Sequence, residues 1–230
     1  MIRVFIGFDQ REAVAYHVAV ASIMRHASEP VAITPLARTT LRHEFHRPRG
    51  PLDSTDFAIS RFLVPHLCRF EGRAIFIDCD MLLRADIAQL WYHVLNTQSL
   101  RERAVCVVQH EYVPRTARKF LGQEQTRYHR KNWSSVIVFN NSRCHALTRE
   151  YVERAPGLDL HQFAWLADNE IGALPREWNC LVGEENQCAP QDAKLLHYTL
   201  GTPCFSEFSS CEMAHEWHAA RAEANAPMAI

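Results

Sequence analysis

The run Ala74-Ile75-Phe76-Ile77-Asp78-Cys79-Asp80-Met81-Leu82-Leu83 constrains this chain more than any other stretch. An apolar segment climbs into two carboxylates one residue apart and then becomes apolar again. In a half-buried strand, residues i and i+2 share a face, so Asp78 and Asp80 are expected to converge. Ionised carboxylates in apolar surroundings are costly unless a cation compensates them. Oxygen ligands of this kind suit Mg²⁺ or Mn²⁺, which commonly bring phosphate oxygens with them. The local expectation is a metal-bridged phosphate site at a strand end. The alternative is a pair of solvated turn acids.

The rest of the chain tells what surrounds that strand. Apolar, strand-like runs at residues 3–8, 31–36, 73–77, 104–109, 135–139 and 194–198 alternate with helical periodicity at 10–26, 56–70, 87–95, 143–154 and 160–173. Such alternation predicts an α/β fold with a largely parallel sheet flanked by helices. A last stretch, about 208–224, is rich in Ala, Glu, His and Trp and reads as a C-terminal docking helix within residues 206–230. With 230 residues, 47% of them hydrophobic, one core suffices, and residues 1–230 are expected to form one domain. The opening Met1-Ile2-Arg3-Val4-Phe5-Ile6-Gly7 reads as a strand rather than a signal peptide, and no apolar stretch reaches the length of a membrane span.

Charge and cysteine usage narrow the function classes. A net charge of -1 argues against nucleic-acid binding as the chain's main role. The eight cysteines include no Cys-x-x-Cys pair, and several sit in apolar contexts, which suits small buried side chains in a reducing cytoplasm. Two stretches break the strand–helix rhythm. Residues 37–54 carry Arg38, Arg42, Arg47 and Arg49; residues 112–131 carry Arg115, Arg118, Lys119, Arg127, Arg130 and Lys131. They read either as solvated surface or as contacts for phosphates or an anionic acceptor.

Ile6-Gly7-Phe8-Asp9 closes the first strand where α/β sheets present nucleotides. Gly7 permits close backbone approach of a base or ribose. Asp9 either accepts from a base or ribose or caps the helix that starts at Gln10, roles that are compatible.

Several blocks resemble family 8 glycosyltransferases, the group that includes glycogenin and the bacterial lipooligosaccharide galactosyltransferases. Asp78-Cys79-Asp80 followed by Asp86-Ile87-Ala88-Gln89-Leu90-Trp91 resembles the family's Asp-x-Asp signature and the Leu-Trp helix behind it. Residues 54–65, with Arg61, resemble its arginine-bearing helix. Asp168-Asn169-Glu170 and Leu174-Pro175-Arg176-Glu177-Trp178-Asn179 resemble its Asp-Gln-Asp region and the segment that trails it. Leu196-His197-Tyr198-Thr199-Leu200-Gly201-Thr202-Pro203 resembles its His-Tyr-x-Gly segment. Three departures mark a divergent relative: Asn169 replaces a glutamine, Asn132-Trp133-Ser134-Ser135-Val136 replaces an Asn-(Ala/Ser)-Gly stretch, and the lysine expected near Pro203 is absent.

The resemblance implies a fold of the glycosyltransferase A type, with a Rossmann-like, mostly parallel but mixed sheet. It implies a retaining hexosyltransferase that uses Mn²⁺ (or Mg²⁺) and a nucleotide-diphosphate sugar, most simply a UDP-sugar, to modify a glycan or glycolipid acceptor. Asp78, Asp80 and His197 become the metal ligands, an oxygen–oxygen–nitrogen set that suits Mn²⁺. Gly7, Asp9, Arg61, Asp78, Thr199 and Gly201 become nucleotide-sugar contacts. Asp168 and Asn169 become the residues near the reacting carbon. No nucleic-acid partner is implied, and the basic stretches are compatible with peripheral contact at the inner membrane face. Two rival readings are a haloacid-dehalogenase-type phosphatase using Asp78 and Asp80, and a nucleotide-sugar-binding module without turnover.

Overall fold

The computed structural model describes residues 1–111, 113–124, 128–184 and 188–226; Arg127 of the second basic stretch and the last four residues of the C-terminal segment lie outside the described residues. In chain order the elements are β1 (Ile2–Gly7), α1 (Ala13–His26), β2 (Val31–Leu36), α2 (Val64–Leu67), β3 (Arg73–Ile77), β4 (Met81–Leu83), α3 (Ile87–Asn96), α4 (Gln98–Arg101), β5 (Val105–Val107), β6 (Val136–Asn140), α5 (Arg149–Arg154), α6 (Gly157–His161), β7 (Ile171–Ala173), β8 (Cys180–Leu181), β9 (Leu195–His197) and α7 (Ala214–Asn225). Short 3₁₀ turns join several of them.

Among the described residues the strands form two sheets. The larger runs in the order β2-β1-β3-β6-β5-β7, and the smaller in the order β4-β9-β8. β1 pairs in parallel with both β2 and β3, and β5 in parallel with β7, while β6 runs antiparallel to β3 and β5. The expectation of a mostly parallel, mixed sheet flanked by helices therefore holds, with β6 running against the other five strands. The chain leaves β1 toward β2 on one side and returns to β3 on the other. The carboxyl ends of β1 and β3 thus flank the kind of crevice where open α/β sheets bind ligands.

β3 supplies the centre of the core: Ala74, Ile75, Phe76 and Ile77 are all inaccessible to solvent. A continuous apolar run is what a strand covered on both faces requires. α1 starts behind Asp9, whose side chain accepts from the Arg11 N–H and caps the 3₁₀ turn that leads into the helix. Asp86 caps α3 in the same way through the Ala88 N–H at 2.9 Å. At the other end of the chain, Trp217 of α7 is inaccessible and packs in a cluster with Val18 of α1, Leu82 of β4, and Leu196 and Tyr198 at β9. The Tyr198 hydroxyl donates to the Met213 carbonyl at 3.0 Å, and Arg84 pairs with Glu216 at 2.9 Å. Among the described residues no helix is long and apolar enough to cross a membrane.

Three expected helices come out differently. Residues 56–70 form a 3₁₀ turn at 60–63 and the single-turn α2. Pro65 can occupy only a first helical turn, and Arg69 and Phe70 adopt left-handed backbone that ends it. Residues 143–154 become helical only from Arg149, behind the Thr148 cap. The 160–173 periodicity is the clearest miss. α6 stops at His161, Phe163 turns left-handed, and Ile171–Ala173 is drawn into the sheet beside β5. Gly172 fits there because a Cβ would stand 2.8 Å from the Cys106 sulfur and 2.9 Å from Leu100. Tertiary pairing outweighed local propensity.

Gly7 is tighter still. A Cβ at this position would lie 2.2 Å from the ring of Phe57, whose residue is buried at 1% exposure. Gly7→Ala is therefore expected to destabilise the fold by about 1–3 kcal/mol through overpacking. Urea unfolding of the variant beside the native chain measures it, and an unchanged midpoint would contradict the packing described.

Candidate functional site

Asp78, Cys79 and Asp80 occupy the turn that passes the chain from β3 in the large sheet to β4 in the small one. The sequence reading placed the two carboxylates on one face of a strand. In the structure a turn directs them, and the neighbouring strand supplies the third group. Met81 of β4 pairs with His197 of β9, and the Tyr198 N–H donates to the Asp80 carbonyl at 2.9 Å. That register brings His197 Nε2 to 3.4 Å from Asp80 Oδ2. One ligand atom each from Asp78, Asp80 and His197 falls within a mutual 4.8 Å.

The imidazole is oriented from behind. His197 Nδ1 stands 2.8 Å from Asn179 Oδ1, and the Asn179 amide is itself fixed by donating to the Asn132 carbonyl at 3.3 Å. An amide oxygen only accepts, so Nδ1 is the donor of this pair and Nε2 is the ring nitrogen turned toward the carboxylates. This is how metal-binding histidines are held. Asn179 gave no signal in the sequence as part of the site, because its role exists only once β8 and β9 pair.

The carboxylates are under electrostatic tension. Burial lifts the Asp78 carboxyl to about 6, Arg61 opposing the lift and the charge of Asp80 adding to it. Burial acts upward on Asp80 as well, but His197 and Lys119 beside it outweigh that and hold it below the usual carboxylate range. Oδ1 of each aspartate is shut off from solvent without a hydrogen-bond partner among the described residues. Asp78 Oδ1 faces only the charge of Arg61, whose Nη1 lies 2.8 Å away and also donates to the Ser134 carbonyl. Two orphaned carboxylate oxygens beside an oriented imidazole nitrogen match the donor set of a divalent cation such as Mn²⁺.

Arg61 is buried at 5% exposure. Its Nε donates to the Ala58 carbonyl at 3.0 Å, and its guanidinium lies over the rings of Phe57 and Phe76. It is thus a fixed counter-charge to Asp78. Thr199, at 1% exposure, accepts from Lys119 Nζ at 3.1 Å and from Asn132 Nδ2 at 3.3 Å.

A cavity of about 350 Å³ opens over this cluster, and Arg61, Asp78, Asp80, His197 and Thr199 all line it. The other expected site residues stand back from its wall. Asp9 accepts from the Arg11 N–H, from the Arg11 guanidinium and from the Asp56 N–H at 3.0 Å, so it caps the helix and ties down the 54–57 segment. Those donors outweigh burial and lower its pKa. The group pressed against Gly7 is the Phe57 ring, and a Cβ at Gly201 would stand 2.4 Å from Phe208. Asp168 is exposed and pairs with Arg130 at 2.5 Å, while the Asn169 carbonyl accepts from Arg103.

Several cavity residues had no assigned role in the sequence reading. Lys119 and Lys131 come from the second basic stretch, whose composition marked it without singling either out. Ser134 Oγ and His161 Nδ1 meet at 2.8 Å in the wall, with burial pushing the histidine well below its ordinary pKa. Glu12 lies behind the aspartates at 1% exposure, and burial with the Asp80 charge pushes its carboxyl well up. A second cavity, about 380 Å³, lies between α1 and α7, but its charges are already paired, Arg84 with Glu216 and Arg25 with Glu223. The unsatisfied chemistry is in the first.

No family model matches the chain. Among solved structures it is similar to the galactosyltransferase LgtC in complex with donor and acceptor sugar analogues, at 11% identity and a TM-score of 0.63, covering 99% of this chain and 98% of that one. It is similar to the WbbM bifunctional glycosyltransferase at 17% identity and a TM-score of 0.64, covering 98% of this chain but spanning only 50% of WbbM. Mouse xyloside xylosyltransferase 1 follows at 13% identity and a TM-score of 0.55, covering 86% of this chain and 97% of that one. These likenesses establish the fold as that of the glycosyltransferase A type. In sequence, the chain is 42% identical to Protein CDI of Arabidopsis thaliana over 224 residues, 94% of this chain and 84% of the relative. By that extent of identity, the chain belongs to the family of Protein CDI.

Proposed function

We propose that this protein is a metal-dependent, retaining glycosyltransferase that moves a hexose from a nucleotide-diphosphate sugar, most simply a UDP-sugar, to a glycan or glycolipid acceptor. One observation carries the reading. Asp78, Asp80 and His197 converge within 4.8 Å at the wall of a 350 Å³ cavity, with an orphaned oxygen on each aspartate. The glycosyltransferase A fold and the resemblance of the sequence blocks to family 8 support the same reading.

In this reading Asp78, Asp80 and His197 hold Mn²⁺ or Mg²⁺. Bound there, the cation supplies Lewis-acid neutralisation of charge on the departing diphosphate, with no proton transfer required. The chain's own residues set the geometry. Asn179 keeps His197 Nε2 directed at the site. Arg61 holds Asp78 against the cavity wall and contributes positive potential there. The Thr199 hydroxyl lies at the phosphate end, followed by Gly201. Gly7 and Asp9, at the end of β1, set the position of the 54–57 segment and through Phe57 shape the nucleotide side of the cavity. Asp168 and Asn169 act from the rim, Asp168 through Arg130 next to Lys131. No residue is assigned as a nucleophile; positioning and preorganised charge carry the rate. The acceptor is reached from solution or from a membrane surface, with exposed basic residues such as Arg42 and Arg118 toward it.

Mn²⁺ at about a hundred times its dissociation constant is expected to stabilise the native chain by about 2.7 kcal/mol, a rise of several degrees in Tm that EDTA reverses. Asp80→Asn is expected to lose that rise, and a Tm indifferent to Mn²⁺ in the native chain would remove the metal site. Incubation with UDP-sugars, Mn²⁺ and a set of glycan acceptors tests the activity. Transfer or donor hydrolysis is expected, with Asp80→Asn lowering kcat/KM by about a hundredfold or more. Donor binding without any turnover would instead make the protein a binding module. Asn179→Ala is expected to weaken Mn²⁺ affinity about tenfold while leaving the fold intact, as loss of a group that orients a ligand does.

A further inference from the structure

The charges in the cavity wall do not balance once the proposed substrates are in place. Asp78 and Asp80 between them neutralise one divalent cation, so the diphosphate's own negative charge needs other positive groups nearby. The described basic residues of the wall are Arg47, Arg61, Lys119 and Lys131, with His161 and His197. Arg47 Nη1 already donates to the carbonyls of Val152 at 3.2 Å and Ala155 at 2.5 Å. Arg61 is committed to Asp78 and to the carbonyls of Ala58 and Ser134. His161 is kept neutral by burial, and His197 belongs to the metal set. That leaves Lys119 as the cation to consider, with Lys131 in the same wall.

Lys119 is held in place from a segment far from the metal set in sequence. The Phe120 N–H donates to the Leu200 carbonyl at 2.8 Å, and the Phe120 ring stacks on Phe205 at 5.1 Å and 20°. The Lys119 N–H donates to the Gln123 carbonyl at 2.8 Å, closing the turn. These contacts fix the 119–123 turn on the strand of chain that follows His197. The ammonium reaches Thr199 Oγ1 at 3.1 Å, which uses one of its three N–H donors. Lys131, at 7% exposure, lies behind it with its ammonium 5.0 Å over the Tyr128 ring.

We infer that Lys119, backed by Lys131, is the cationic seat of the donor's diphosphate, supplied by the 112–131 stretch. The inference rests on the nucleotide-sugar reading above. The electrostatics agree with it. Burial pushes the Lys119 pKa down while Asp80 and Asp78 pull it back, and burial with the like charge of Lys119 brings Lys131 to about 7. An arriving polyanion relieves both ammoniums of that strain. A lysine suits such a seat because it binds phosphate as a point charge.

Isothermal titration of the full chain in Mn²⁺ tests it, with UDP, GDP, CDP, the matching nucleosides and inorganic pyrophosphate as probes. Lys119→Met is expected to weaken the preferred nucleoside diphosphate and pyrophosphate about tenfold each, while nucleoside affinity stays within about twofold. Lys119→Arg, which keeps the charge, is expected to retain most of the diphosphate affinity. If Lys119→Met and Lys131→Met both leave diphosphate affinity unchanged, or if diphosphate and nucleoside weaken equally, the assignment falls while the nucleotide-sugar reading stands. A native chain that binds none of the diphosphates and no pyrophosphate overturns both.

Discussion

Asp78 and Asp80 stand where the large sheet hands the chain to the small one, and neither carboxylate can be left to water there. Asp78 is paired with the Arg61 guanidinium, which itself lies over the rings of Phe57 and Phe76. Removing one partner from a buried pair of this kind typically costs about 3–5 kcal/mol, because an uncompensated charge stays behind. The surrounding structure is arranged around that constraint. The Ser134 carbonyl anchors the arginine, and β6, which begins just beyond it, pairs with β3 along its whole length. The Asp78 N–H donates to the Ser135 carbonyl at 3.1 Å, so backbone and side chain are tied to the same neighbour. β9 then closes on β4 from the other side and delivers His197.

That arrangement explains what could be read from the sequence and what could not. The aspartates were legible because two carboxylates interrupting an apolar run have few inexpensive structural explanations. His197 was legible only through its sequence context, since a lone histidine after Leu195 and Leu196 is equally a core residue. The strands of the large sheet announced themselves as continuous apolar runs. β7 did not: three residues, one of them Gly172, carry too little pattern to outweigh the helical spacing of Leu160, Phe163 and Leu166. Asn179 and Lys119 were illegible in principle as site residues. Neither residue type nor spacing tells that one steadies an imidazole through β-pairing, or that the other is aimed by an aromatic stack on Phe205.

The convergence of the aspartates was right in outcome but different in cause. Strand alternation would have pointed both side chains along one face of the sheet. A turn between two sheets does more. It places the carboxylates between the end of β3 and the start of β4, beside the end of β9, so the histidine arrives through strand register rather than through a loop. Ligands mounted on paired strands keep their separation to within the small motions of the sheet, which is what preorganisation of a charged site requires.

Glu12 shows how the charge of that site is limited. It lies behind Cys79, with Oε1 shut off from solvent and without a hydrogen-bond partner, and burial together with Asp80, Asp9 and Asp78 pushes its carboxyl far up. Three ionised acids in so small a volume would repel one another strongly, and burial with its neighbours biases Glu12 toward the protonated form. The face turned to the cavity then carries two negative charges, the number that one divalent cation balances. A third charge from Glu12 would cancel part of the positive potential that Arg61, Lys119 and Lys131 build over the cavity. Raising the Glu12 carboxyl therefore favours the asymmetry of the cavity, whose wall carries two aspartates and two lysines.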